Sequence, residues 1–161
     1  MDMKDGPRNR ISPKALSVWR IYGGIETLIA LVVAGGVITL TVLFDWPVWI
    51  SVVAGVAAVI LAYIQIKLVP DVRWKRWRYE VREQEIELQR GIFIIKRTLV
   101  PMVRVQHVDT VQGPILKKYG LSTITISTAA TVHEIPALDT EEADGLRDSI
   151  SQLARVAEDD V

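Results

Sequence analysis

The sequence predicts an α+β membrane protein: a two-helix transmembrane hairpin followed by a curved antiparallel β-sheet or barrel, capped by one C-terminal α-helix. Three observations carry this reading. Two apolar runs, residues 21–44 and 46–69, hold one charged residue each, Glu26 and Lys67. Residues 77–139 alternate apolar and polar side chains in short stretches. Residues 143–157 instead place Ala143, Leu146, Ile150, Leu153 and Ala157 at spacings of 3, 4, 3 and 4. Period two marks half-buried strands, and the 3/4 spacing marks an amphipathic helix.

Each apolar run reaches about 36 Å as a helix, against a hydrocarbon core of about 30 Å. Neither has the polar face that a soluble core helix would carry. A cleaved signal peptide is the rival for the first run, but its hydrophobic region is too long and no small-x-small site follows cleanly. Asp45 breaks the first run and Pro47 suits the first turn of the second, so the two helices form an antiparallel hairpin.

Charge fixes the expected orientation. The 19 basic and 19 acidic residues cancel, yet residues 1–20 sum to +3, residues 66–82 to +4 and residues 139–161 to −6. Lys4, Arg8, Arg10, Lys14 and Arg20 precede the first run; Lys67, Arg73, Lys75, Arg76 and Arg78 close the second. The turn between has neither Lys nor Arg, which predicts a multi-pass cell-membrane protein with both termini cytoplasmic. Trp46 and Trp49 then sit at the outer interface, and Trp19, Tyr22 and Trp74 at the inner one. The segments read as a basic N-terminal stretch (1–20), the hairpin (21–69), a cytoplasmic domain (70–157) and an acidic tail (158–161).

Within the runs, Ala30 and Ala34 in the first and Ala54, Ala58 and Ala62 in the second offer small-residue faces for close helix packing, in the hairpin or against another membrane protein. Glu26, counted outward from the turn, lies level with about Gln65 and near Lys67. The three form a candidate intramembrane polar cluster. The plainer alternative is that Glu26 snorkels to the headgroups.

In the remaining 92 residues, Trp77, Tyr79 and Val81 alternate with charged residues, as do Ile86 and Leu88. Val103 and Val105 extend the pattern, residues 121–128 alternate Ile with Thr, and residues 132–135 add a short strand. Asp139 followed by Glu142 has the form of a helix-capping pair, and the helix should end near Val156.

Chemistry is sparse. With no Cys there is no disulfide, thiolate catalysis or Cys-ligated zinc. His107 and His133 stand 26 residues apart without nearby Cys or paired acids, so no metal site and no cofactor is expected. No P-loop, dinucleotide fingerprint or nucleophile elbow occurs. Ser122 and Ser127 lie unmarked in strands. The expectation is a protein that is not an enzyme.

A specific resemblance then emerges. The run Tyr79-x-Val81, Glu85-Ile86-Glu87-Leu88, Arg90-Gly91, Pro101, Arg104-x-Gln106-x-Val108 resembles the bacterial pleckstrin-homology-like (PH-like) domain. The stretch from Val111-Gln112-Gly113-Pro114 through Lys117-Lys118-Tyr119-Gly120-Leu121 is similar to that family's central signature. With two membrane helices ahead of it, the chain resembles the small membrane proteins of the YdbS type. The resemblance implies the PH-like fold and, as partner, a larger membrane protein with repeated copies of the domain. It supplies no catalytic residues.

Three functions compete. The first is a membrane-anchored, non-catalytic adaptor presenting the PH-like domain in complex with that larger protein, with a homo-oligomer as a further option. The second is a sensor of anionic lipid or envelope state, in which Arg73, Lys75, Arg76, Arg78, Lys117 and Lys118 hold headgroups of the lipid bilayer. The third is an accessory subunit of a transporter, with Glu26 in the pathway. Nucleic acid is not expected as a partner, since no extended basic face is legible.

Overall fold

The computed structural model describes residues 6–159. It separates into two compact units: the segment up to Ala15 together with Arg73 onward, and Leu16–Val72.

In the helical unit, α1 spans Ala15–Leu43. The second helix begins as α2 (Val48–Tyr63), widens into a π-helical turn (Ile64–Leu68) and continues as α3 (Val69–Arg76). Both helices therefore outrun the apolar stretches of 21–44 and 46–69. Hydropathy marks what can sit in lipid, whereas helical hydrogen bonding continues into the polar flanks. Pro70 falls inside the second helix. Its ring would collide with the carbonyl four residues back, Ile66, and it has no N–H to offer. The wider turn absorbs this: the Val69 N–H bonds five residues back to Ile64 O.

Protected positions on α1 include Gly23, Thr27, Ala30, Ala34, Val37 and Thr41, at spacings of 4, 3, 4, 3 and 4. On the second helix they include Ser51, Ala54, Ala58, Ala62 and Gln65. This is a heptad seam built of small residues. A Cβ on Gly23 would lie 2.3 Å from the Gln65 carbonyl oxygen, so only glycine permits this approach. The hydroxyls of Thr39 and Thr41 donate within α1 to Gly35 O and Val37 O, both at 2.8 Å. At the turn Asp45 takes a positive φ of 50°, and the Trp46 N–H returns to Thr41 O at 3.0 Å.

The lobe holds two antiparallel sheets. One is ordered β1 (Asn9–Arg10), β2 (Arg78–Val81), β3 (Glu85–Arg90), β4 (Lys96–Pro101). The other is ordered β5 (Val105–Val111), β6 (Leu121–Thr128), β7 (Val132–Asp139). A short helix α4 (Pro114–Lys118) follows β5, and α5 (Thr140–Asp159) closes the lobe. Tyr79, Ile86, Leu88, Val100, Ile124, Ile126, Ile135 and Leu138 fill the core, with Ala143 and Ile150 from α5 fully buried.

The N-terminal stretch is not a separate basic segment. Asn9 and Arg10 pair with Tyr79 and Arg78, and Ile11 is 2% exposed. The Ser12 N–H donates to Ala137 O at 3.1 Å, and the Trp74 indole donates to Ser12 O at 3.2 Å. Lys14 Nζ reaches Asp139 Oδ1 at 2.8 Å. Lys4 lies outside the described residues.

Four other expectations change. Val103 sits in a 3₁₀ turn (Met102–Arg104), because Pro101 redirects the chain and the Met102 N–H bonds to Gln84 O at 2.9 Å. Strand β7 runs past residue 135 through a bulge at Pro136, which has no ladder donor to lose; Ala137 takes a φ of 51° there. The capping pair is replaced: Asp139 ends a strand and binds Lys14, while Glu142 accepts the Tyr79 hydroxyl at 2.9 Å. Burial, then that hydrogen bond, push the Tyr79 pKa well above its ordinary value. Helix α5 continues beyond Val156 to Asp159, so Glu158 and Asp159 are not a tail; Asp160 and Val161 lie outside the described residues.

The signature stretch has a structural use. Gln112 Nε2 donates to Leu121 O at 2.8 Å and to Thr140 Oγ1 at 3.2 Å. The Thr140 hydroxyl donates to Gly120 O at 3.0 Å, across a glycine with φ 66°. The motif thus fastens the start of α5 to the start of β6.

Two predictions follow from this packing. Ile11→Ala should cost the lobe about 2–4 kcal/mol although it precedes the first helix, read as a lower thermal midpoint in near-UV circular dichroism. Gly23→Leu should force the helices apart and lower the midpoint of the helical signal in mild detergent, with Gly24→Leu, which meets nothing within 4 Å, as the neutral control.

Candidate lipid-facing site

The first sheet is electrically polarised along β3. At the β2–β3 turn, Arg82 is surrounded by Glu80, Glu85 and Glu87 at 3.0, 3.2 and 3.6 Å. Its opposite end is basic. Arg10 pairs with Arg78, Arg78 with Gln89, and Gln89 with Arg97, forming one row across all four strands. Paired residues share a face, so these three arginines line the same side of the sheet. One step further, Arg90 pairs with Lys96 on the other face. Like charges directly opposite each other oppose sheet pairing. No acidic residue occurs between Leu88 and Arg104.

Beyond this row lies the β3–β4 turn, Gly91-Ile92-Phe93-Ile94-Ile95. Phe93 is 94% and Ile94 83% exposed. The turn is built rather than loose. Gly91 has a φ of 138°, and a Cβ there would lie 1.9 Å from Ile94 O. The Arg76 guanidinium donates to Ile92 O, and Arg97 Nε donates to Gln89 Oε1 at 3.0 Å. An open groove of about 490 Å³ runs beside the turn, lined by Arg73, Trp77, Arg90, Lys96 and the turn's own apolar residues.

The chain matches the family described as Bacterial PH domain over residues 21–154. It is 55% identical over 159 residues to the UPF0699 transmembrane protein YdbS of Bacillus subtilis (strain 168), covering 99% of this chain and 100% of that protein. The chain belongs to the bacterial PH domain family. It is also 24% identical over 119 residues to the UPF0699 transmembrane protein YdbT of the same organism, covering 71% of this chain and 20% of that one. No solved structure matches.

In this bacterial PH domain protein, the residues nominated for headgroup binding divide. Arg73 lines the groove, Arg76 holds the turn and Arg78 belongs to the arginine row. Lys75 is exposed at the end of α3. Lys117 and Lys118 are exposed on α4, which packs on β6 of the other sheet, and line no part of the groove. Sequence reasoning missed Arg10, Arg90, Lys96 and Arg97. Alternation in residues 85–101 carried the signal for the last three, but Arg10 joins only through a two-residue strand.

The intramembrane cluster does not assemble. Gly23, nearly one turn before Glu26, is the residue against Gln65. Among the described residues no hydrogen bond or ion pair joins Glu26 to Gln65 or Lys67, and Lys67 Nζ lies 5.9 Å from the Tyr63 ring centre. By contrast, Ala30, Ala34, Ala54, Ala58 and Ala62 all occupy protected positions.

The histidines are separated by register. His107 pairs with Ser127 and His133 with Ile126, so they project from opposite faces of the sheet. His133 Nε2 lies 2.8 Å from Thr131 Oγ1. Burial, then the positive charges of Arg90 and Lys96, lower its pKa.

Two outcomes are expected. Gly91→Ala should distort the turn and destabilise the lobe by about 1–3 kcal/mol, measured by thermal unfolding. The lowered His133 pKa means the unfolded chain binds its proton more readily. Its contribution to stability is complete above the ordinary value of about 6.5 and is lost as pH falls below that. His133→Gln should flatten the decline of the thermal midpoint in that range.

Proposed function

We propose that this protein is a membrane-anchored, non-catalytic adaptor. Its helix pair crosses the cell membrane, and its PH-like lobe faces the cytoplasm to engage a larger membrane protein. One observation carries the reading: the lobe is assembled from chain on both sides of the helical unit, with β1 ahead of α1 and the remainder after α3. A lobe attached to both ends of a helical unit requires an even number of crossings. Two connections also restrain it more than one would. The basic residues flanking both helices, against none in the Asp45 turn, favour the cytoplasmic side.

The polar side chains that chemistry would call on are committed to structure. Glu142 is held by Tyr79, Asp139 by Lys14 and Ser122 by Thr140. Outside the small-residue seam, α1 and α2 expose apolar surface, including Leu28, Val32, Val53 and Val59. That surface can serve lipid and partner helices alike. Similarity to a fifth of the length of a second UPF0699 transmembrane protein supports a partner that carries related domains.

Reporter enzymes fused at each end should both register the cytoplasmic side, and a split result would end the two-crossing reading. Affinity capture of the full-length chain from membranes in mild detergent should recover a stoichiometric membrane protein with related domains. Gly23→Leu should reduce that recovery if the helices contribute to binding. Recovery of the chain alone across several detergents and nanodiscs would reject the adaptor.

A further inference from the structure

We propose that the β3–β4 turn is a membrane-entering wedge. Phe93 and Ile94 dip into the interface of the leaflet where the second apolar run ends, and a basic collar of Arg73, Arg90, Lys96 and the Arg10–Arg78–Arg97 row binds the phosphates of anionic lipids. The inference uses the membrane attachment of the proposed function but not its partner.

Three observations converge on a lipid surface as the occupant. First, two large apolar side chains are held outward by a rigid turn, with glycine enforced at Gly91 and Arg76 fixed on Ile92 O. A turn this constrained cannot fold them inward. Second, the collar is matched to anions. Arginines face one another at Arg10–Arg78, and Arg90 faces Lys96, with no acid in either pair; Arg73 also feels the carboxylate of Glu134 on β7. The sheet's acidic residues gather instead round Arg82, at the far end of β3. At about 3.3 Å per residue those ends are roughly 17 Å apart. An apolar tip ringed by cations is the arrangement that an anionic interface stabilises, with the rings in acyl chains and the charges among phosphates. Third, the tether is short. Arg73, which lines the groove beside the tip, is five residues along the chain from Leu68, at most about 18 Å even if fully extended.

The absence of cysteine makes the test clean. Single cysteines replace Phe93, Glu83 and Val56 in the full-length protein, each carrying an environment-sensitive fluorophore. The proteins are placed in nanodiscs of phosphatidylethanolamine and phosphatidylglycerol, with or without lipid bearing a nitroxide near the headgroup. The Phe93→Cys label should lose about half its emission to the nitroxide lipid and resist aqueous iodide. The Glu83→Cys label, at the acidic end, should behave oppositely.

Replacing phosphatidylglycerol with phosphatidylcholine, or Arg90→Gln with Lys96→Gln, should reduce quenching at position 93. Unchanged quenching in both would overturn the role of the collar. A Phe93→Cys label open to iodide and untouched by nitroxide would overturn the wedge. A label shielded from iodide but not quenched by nitroxide lipid would overturn it too, by assigning the tip to a protein surface. The Val56→Cys label separates the failures: if it is quenched by lipid bearing a nitroxide on the acyl chain while position 93 is not, the wedge alone falls. If neither is quenched, membrane attachment falls with it.

Discussion

Backbone pairing between Asn9–Arg10 and Arg78–Tyr79 is the constraint on which the rest depends. It is a small contact, two residues on an edge strand, but it is backed by Ile11 in the core and by polar bonds from Ser12 and Lys14. Loop-closure cost grows only slowly with the length enclosed, so a few such contacts suffice to return the chain to the lobe after nearly seventy residues. Once they form, the helical unit is tied at both ends to one folded body. The antiparallel helix pair and the doubled attachment both follow from that closure.

The same pairing completes the lobe's charge pattern. Without β1, Arg78 would occupy an edge with solvent on one side; with it, Arg10 is set directly beside Arg78. Repulsion there is carried by the apolar contacts of Tyr79, Ile86 and Leu88 on the opposite face. The first sheet thereby has one acidic end gathered round Arg82 and one basic end left uncompensated within its strands. The second sheet spends its polar groups differently. Gln112, Ser122 and Thr140 join α5 to β6, so the family's signature stretch stabilises the junction of helix and sheet and takes no part in the basic groove.

Much of the architecture was legible because it rests on local periodicity. The apolar runs, the alternation of residues 121–128 and the 3/4 stripe of α5 each report one element burying one face. Features that depend on a distant partner were not legible. Asp139 and Glu142 have capping spacing, yet Lys14 and Tyr79, distant in sequence, claim their carboxylates. Glu26 is level with Gln65 if two straight helices are counted from the turn; the close approach of Gly23 instead sets the register. Lys117 and Lys118 read as part of a basic set, but α4 carries them onto the other sheet.

What the sequence determined by itself was composition along the chain: where lipid-compatible length occurs, where strands and the closing helix lie, and that this protein resembles a bacterial PH domain. Those properties depend on side chains within a few residues of one another. Only the tertiary structure decided that the N-terminal segment belongs to the lobe, that arginines from three strands align with Gln89 in one row, and that the apolar turn projects beyond them. Each of these is a pairing between residues far apart in sequence. Its stability comes from the core that both strands help to bury, and local pattern holds no record of that core.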